Sequence, residues 1–186
     1  MAANNAPSDD AYWSAVNYHP RAQFVRFHAR SERFACIVTH RRAGKTVACI
    51  HDLYRAAQRC GKERPRFAYL SPFFRQSKAV AWDYLRAAIA RDVGGRVHET
   101  ELRADYPNGG QIRLYGADNP DALRGLYLDG VVLDEYADMD PRVWSEIIRP
   151  ALADREGWRC SSARRAGATI SSRCGGARTR SRTGSR

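Results

Sequence analysis

A short basic loop between two apolar segments, HRRAGKT at residues 40–46, has the residue types that bind phosphate. Gly44 lets the backbone approach an anion closely, Lys45 can reach the β- and γ-phosphates of a nucleotide, and the Thr46 hydroxyl can ligate Mg²⁺. The strict phosphate-loop pattern is not met, because Thr39 stands where that pattern has its first glycine. Alone, the loop predicts either a nucleotide-phosphate site or an ordinary solvated basic turn.

A pair of acids follows another apolar segment further along the chain. Residues 130–133 lead directly into Asp134 and Glu135. In ATPases with this arrangement the first acid holds Mg²⁺ and the second orients the attacking water, so the pair complements the loop. A surface acid pair at the end of a core strand is the alternative. The two halves in this order favour a site for ATP and Mg²⁺.

The elements that must position these residues follow from the hydrophobic pattern. Apolar runs predict strands at 34–40, 66–72 and 131–136. Helical spacing predicts helices at 46–60 and 79–90. A turn at 107–110 predicts a β-hairpin, and Asp140-Pro141 predicts a helix start with a stop at Pro150. Alternating strands and helices predict an α/β fold with a mostly parallel sheet.

The two candidate segments together, RRAGKT (41–46) and VVLDEYADM (131–139), resemble the large terminase family, the ATPases of viral DNA packaging. The segments at 70–82, 123–135 and 141–158 resemble the same family. The resemblance covers residues 12–158 and is to the N-terminal ATPase portion only. It implies an α/β P-loop NTPase of the additional-strand class, with a mostly parallel sheet flanked by helices and incomplete at its C-terminal side.

The resemblance also implies roles for individual residues. Glu135 would orient the attacking water, Asp134 would join Thr46 in holding Mg²⁺, and Arg124 would act as an arginine finger toward a neighbouring subunit. Arg42 or Arg41 would contact the γ-phosphate, although basic loop residues also commonly face solvent. The residues implied to bind the nucleotide are Tyr18, Gln23, Arg41, Arg42, Ala43, Gly44, Lys45 and Thr46. Within that set, Tyr18 and Gln23 would read the adenine.

The partners implied by the family are double-stranded viral DNA, the small terminase subunit and the portal, with the protein assembled as a ring-forming homo-oligomer. The expected location is the cytoplasm of a bacterial host, because no leader pattern or membrane-length apolar run occurs. Two alternatives remain open: a helicase-type nucleic-acid ATPase and a non-enzymatic prophage remnant. The five cysteines form no CxxC pair, and we expect Cys36, Cys49 and Cys60 to be buried free thiols.

Most of the positive charge is concentrated at the end of the chain. The 186 residues carry a net charge of +11, but residues 159–186 contain eight arginines and no acid or lysine. Residues 1–158 therefore hold 23 basic and 20 acidic residues, a net charge of +3. The predicted division is a polar leader at 1–11, a partial ATPase domain at 12–158 and a disordered basic tail at 159–186, with the family's coupling strand and nuclease domain absent.

The tail has the composition of an out-of-frame translation. In a reading displaced by one nucleotide, the codons of Cys160, Ser161 and Ser162 place T at the centre of three successive codons, which then encode apolar residues. The codons that follow permit Gly-Thr-Pro, the type of motif that ends the family's coupling strand. We therefore predict a frameshift close to Trp158. The alternative is a genuine basic arm that binds DNA phosphates.

Overall fold

Seven strands form a single sheet in the computed structural model, which describes residues 9–91 and 95–164. The strands are β1 Phe34–Thr39, β2 Arg66–Ser71, β3 Arg96–His98, β4 Arg103–Asp105, β5 Gln111–Gly116, β6 Gly130–Leu133 and β7 Trp158–Arg164. Their order across the sheet is β1-β7-β6-β2-β5-β4-β3. The five strands from β1 to β5 in this order are parallel, and β3 and β4 extend the sheet as antiparallel strands beside β5.

Helices cover both faces of this sheet. They are α1 Asp9–Ala15, α2 Ala22–His28, α3 Lys45–Arg59, α4 Phe74–Gln76, α5 Trp82–Ile89 and α6 Arg149–Ala153. A π-helical segment at Ser77–Ala81 joins α4 to α5, and another at Val143–Ile148 runs directly into α6. Short 3-10 turns lie at Pro120–Leu123 and Tyr136–Asp138.

Two apolar clusters, one on each face, fix the sheet between the helices. One cluster packs α3, α5 and the aromatic residues of the first two helices against the sheet, including Ile37, Val132 and Cys160. The other packs the helix around Ile147 and Leu152 against the opposite face. All four residues of β6 are buried, as expected for a parallel strand covered on both sides. The predicted α/β fold with a mostly parallel sheet is confirmed.

Strand β7 corrects the prediction that a tail without secondary structure begins at residue 159. Residues 159–164 pair with β1 on one side, and residues 159–161 also pair with β6 on the other, so this segment lies inside the sheet. The prediction was wrong because these residues have no strand periodicity of their own, whereas two neighbouring strands offer them backbone hydrogen bonds. The coupling-strand position is therefore filled. The rest of the predicted tail, 165–186, lies outside the described residues.

Two smaller predictions were also wrong. The helix that begins after Asp140 does not stop at Pro150 but continues to Ala153, because the π-helical segment before it widens the backbone where a proline ring would otherwise clash. Cys36 is exposed rather than buried, because β1 lies at the edge of the sheet. Asp140 itself caps the helix as predicted, accepting a hydrogen bond from the Arg142 amide at 2.9 Å.

Candidate nucleotide site

The loop between β1 and α3 has the geometry of an anion-binding turn. Gly44 has φ of +95°, a left-handed conformation that favours glycine, and it is the residue immediately before α3. Arg42 is also left-handed, with φ of +61°. The loop therefore delivers the chain into the first turn of a long helix, where unpaired amides and the helix dipole attract phosphate.

Two side chains from the N-terminal helical region brace this loop. The Arg21 guanidinium donates a hydrogen bond to the Ala43 carbonyl at 2.9 Å, and the Gln23 amide donates to the same oxygen at 3.1 Å. The Lys45 ammonium donates to the His40 carbonyl at 3.3 Å, across the loop. These contacts hold the loop closed around the lysine that would meet the phosphates.

A cavity of about 830 Å³ lies against the loop and brings the two predicted halves of the site together. It is lined by Arg21, Arg41, Arg42, Ala43, Gly44, Lys45, Thr46, Val47, Val80, Tyr84, Asp134, Glu135 and Arg164. The loop residues and the acid pair share one cavity because β1 and β6 are parallel, so their carboxyl ends meet at the same sheet edge. This volume is within the range of small-molecule sites.

The Asp134 carboxylate is buried and held from both sides by neighbouring strands. Its Oδ2 accepts a hydrogen bond from the Tyr69 hydroxyl of β2 at 2.5 Å, and its Oδ1 accepts one from the Ser162 hydroxyl of β7. The Glu135 amide also donates to Oδ1, at 3.1 Å. Burial, the Asp134 charge and this hydrogen bond raise the pKa of Tyr69 well above its usual range, while a hydrogen bond with Thr46 opposes them. Tyr69 thus contacts both predicted Mg²⁺ ligands.

The Glu135 side chain is held by two donors that the sequence did not single out. Its Oε2 accepts hydrogen bonds from the Gln76 amide at 3.1 Å and from the Arg164 guanidinium at 2.9 Å. Glu135 is itself left-handed, with φ of +50°, which turns the chain sharply away from β6. The carboxylate therefore stands at the cavity wall in a fixed position.

Three predicted site residues lie away from the cavity. Tyr18 stacks on His51, with ring centres 4.1 Å apart and planes at 9°, and its hydroxyl lies 3.1 Å from His28 Nε2. Gln23 contacts the loop from behind, through the Ala43 carbonyl. Arg124 is exposed and pairs with Asp121 at 3.0 Å. None of the three lines the cavity formed by the described residues.

Four residues that hold the acid pair were not predicted: Tyr69, Gln76, Ser162 and Arg164. Ser162 and Arg164 had been assigned to the tail, and the signal that could have found them is the family's expectation of a core strand soon after the acid pair. Gln76 stands inside the segment 70–82 that resembles the family, but its chemistry alone does not distinguish it. Tyr69 follows an ordinary strand pattern, and only the register of β2 beside β6 brings its hydroxyl to Asp134.

The fold and the site together define an α/β P-loop NTPase of the additional-strand class. The additional strand is β7, which separates the loop-bearing β1 from the acid-bearing β6. The predicted interval between the two halves in the sequence holds β2 to β5, so the separating strand comes instead from later in the chain.

Known relatives make the class specific. No protein-family model matches the chain. Over 48 residues, 26% of the chain, it is 52% identical to the large terminase subunits of Thermus phage G20c and Thermus virus P23-45. The match spans only 10% of the length of those curated relatives.

Solved structures extend the comparison to most of the chain. A mutant ATPase domain of the Thermus phage P74-26 large terminase has a TM-score of 0.70 and 23% identity, covering 89% of this chain and 72% of that one. The large terminase of another thermophilic bacteriophage has a TM-score of 0.60 and 14% identity, covering 84% and 39%. The predicted resemblance is confirmed: this is a large-terminase ATPase fold with a stretch of large-terminase sequence.

Two further properties bear on what the site can hold. Within residues 9–91 and 95–164 no cluster of three or more His, Cys, Asp or Glu residues could by itself hold a metal ion. Over the same ranges no helix is long and apolar enough to cross a membrane.

Proposed function

We propose that this chain binds Mg-ATP in the cavity beside the loop and that it is the ATPase part of a DNA-packaging motor. The observation that carries the proposal is the convergence of Lys45, Thr46, Asp134 and Glu135 on one cavity. These four residue types are the ones that a P-loop ATPase needs for phosphate charge, metal binding and water orientation.

The residues fit Mg²⁺ bound with a nucleotide. Mg²⁺ takes few ligands from protein and the rest from water and phosphate, which suits one hydroxyl from Thr46 and one carboxylate from Asp134. The bound ion would supply positive charge against the β- and γ-phosphates. Lys45 would add a second cation there, and Glu135 would accept a hydrogen bond from the water that attacks the γ-phosphate. Arg41 and Arg42, both exposed on the cavity wall, would contact the γ-phosphate.

Nucleotide binding by relatives supports this proposal. The same thermophilic bacteriophage large terminase was solved in complex with ATP-gamma-S and with ADP. By the family resemblance, the intact protein would act on double-stranded viral DNA in the host cytoplasm, with the small terminase subunit and the portal as partners.

A Lys45→Ala substitution tests the proposal directly. We expect it to abolish the thermal stabilisation that Mg-ATP gives the wild-type chain, because Lys45 is the buried cation of the loop. Lys78→Ala, an exposed lysine that does not line the cavity, is the matched control. If Lys45→Ala keeps the full wild-type stabilisation, the phosphate-loop assignment is wrong. The non-enzymatic remnant is favoured if the wild-type chain folds and shows no stabilisation at all.

The proposed homo-oligomeric ring gives Arg124 its role, since an exposed arginine outside its own cavity can serve only a neighbour's. In an assembled motor that contains this domain, Glu135→Gln subunits should bind ATP with hydrolysis reduced by orders of magnitude. Mixing them with Arg124→Ala subunits should restore part of the hydrolysis at mixed interfaces. An assembly that forms but recovers no activity at any ratio would leave Arg124 with a structural role.

We also propose that β7 is translated out of frame. The strand buries Arg159, Ser161 and Ser162 inside the sheet, whereas the displaced reading would place apolar residues at 160–162. The polar content of this strand supports the frameshift prediction. Sequencing the locus tests it, and a stop codon within a few codons of the displaced frame would count against it.

A further inference from the structure

The helical wall opposite the loop carries apolar side chains that face solvent. Val80, in the π-helical segment, is 42% exposed and Tyr84, one turn later in α5, is 46% exposed. The neighbouring helix positions Ala81, Trp82 and Leu85 are buried. An amphipathic helix normally turns polar residues to solvent, so this pair is not explained by packing of the helix.

Both exposed side chains line the cavity that also contains the loop. Val80 lies in a π-helical turn, a distortion of the helix that is frequent at functional sites. Val47, the residue after Thr46, also lines the cavity. The cavity therefore has a charged part around Lys45 and the acid pair, and an apolar part formed by the two valines and the tyrosine.

The aromatic residue predicted to hold the base is committed elsewhere. Tyr18 stacks on His51, bonds His28 and packs against the main apolar cluster, and burial raises its pKa to about 12. Gln23 spends its amide on the Ala43 carbonyl. Tyr84 is the aromatic residue among those of the described chain that line the cavity.

We propose that Tyr84, with Val80 and Val47, forms the nucleoside subsite, and that the base of the bound nucleotide stacks on the Tyr84 ring. The inference rests on the proposed function, which puts the phosphates at Lys45. A triphosphate satisfies the charged part of the cavity, whereas a flat aromatic base needs an apolar surface. Stacking on tyrosine accepts any base, so this subsite adds affinity for nucleotides with little discrimination between them.

The experiment compares ATP with inorganic tripolyphosphate, which has the same charged groups and no nucleoside. Binding of each is measured by calorimetry to the wild-type chain, Tyr84→Ala and Tyr84→Phe. Tyr84→Ala should weaken ATP binding by about tenfold or more and leave tripolyphosphate binding unchanged. Tyr84→Phe should keep wild-type affinity for both, because the ring is retained. Unchanged tripolyphosphate binding also shows that the variant is folded.

Tyr127→Ala is the matched control, since Tyr127 is 48% exposed and lies outside the cavity lining. It should change neither affinity. Full ATP affinity in Tyr84→Ala, or an equal loss for both ligands, would overturn the nucleoside subsite and leave the proposed function standing. A wild-type chain that binds neither ATP nor tripolyphosphate would overturn the proposed function, and the subsite with it.

Discussion

Strands β6 and β7 lie side by side inside the sheet, yet they are built from opposite kinds of residue. The four residues of β6 are apolar or glycine and all are buried. Strand β7 buries Arg159, Ser161 and Ser162 in the same environment. Both strands end at the candidate site, β6 with the acid pair and β7 with the groups that hold those acids.

The two serines of β7 show what a polar core strand costs and what it provides. Within the described residues, the Ser161 hydroxyl is buried and has no hydrogen-bond partner, and the Arg159 Nε atom is in the same condition. Ser162, on the opposite face of the strand, bonds Asp134. Backbone pairing with β1 and β6 therefore sets the place of β7, while its side chains fit on the site face and not on the other.

The largest expected effect comes from giving β6 the polarity of β7. Leu133→Ser should lower the free energy of unfolding by about 4 kcal/mol, because it opens a cavity and buries an unpaired hydroxyl. Leu133 is fully buried and lies directly opposite Ser161 in the strand register. Urea unfolding followed by circular dichroism measures the loss. A loss below about 1 kcal/mol would mean that the interior of this sheet tolerates polar residues in any strand.

Acid should separate the stability of the helical layer from that of the polar strand. Burial, with the nearby charges of His28 and Arg91, lowers the pKa of His51 from 6.5 to about 4. The unfolded chain therefore takes up a proton between pH 6.5 and 4 that the folded chain refuses, so stability falls as the pH drops through this window. The full effect is at most about 3 kcal/mol.

His51→Phe, which keeps a ring against Tyr18 but cannot bind a proton, should lose less stability between about pH 7 and 4 than the wild type. Ser161→Ala should follow the wild-type pH dependence, because β7 offers no carboxylate or histidine to titrate in this range. Unfolding curves at several pH values give the comparison. Equal acid loss in His51→Phe and the wild type would assign the sensitivity to another group.

The next effect concerns the two hydroxyls that hold Asp134 from either side. Ser162→Ala and Tyr69→Phe should each weaken Mg²⁺-dependent ATP binding by about tenfold, because each removes one donor to a charged acceptor. ATP binding measured with EDTA should not change. Ser161→Ala, one residue away on the other face, is the control. Equal weakening with and without Mg²⁺ would indicate a general distortion of the cavity.

The smallest effect comes from giving β7 the polarity of β6. Ser161→Ala should raise the free energy of unfolding by about 1 kcal/mol, because it removes a buried hydroxyl that has no partner among the described residues. The substitution adds no volume, so overpacking is not expected. A loss of stability in urea unfolding would show that the hydroxyl is solvated or bonded in solution.

The sequence predicted the elements whose own residues carry a strong pattern. Strands β1, β2 and β6, the helix α3 and the hairpin of β4 and β5 agree with prediction because apolar spacing and turn residues specify them locally. Strand β7 could not be predicted in this way, since its position depends on pairing with its two neighbours rather than on its own pattern. The acid pair and the loop were found from motifs, whereas Tyr69 and Gln76 reach the site only through strand register and helix placement.

The position of β1 has a practical consequence for handling the protein. Within the described part of the chain β1 is the outermost strand, and its Phe34 and Val38 side chains are 48% and 46% exposed. An uncovered strand edge with apolar side chains is a template for pairing with another chain. We therefore expect self-association and poor solubility as concentration rises, and Val38→Lys, which puts a charge on that edge, should keep the protein monodisperse in light scattering without disturbing the loop.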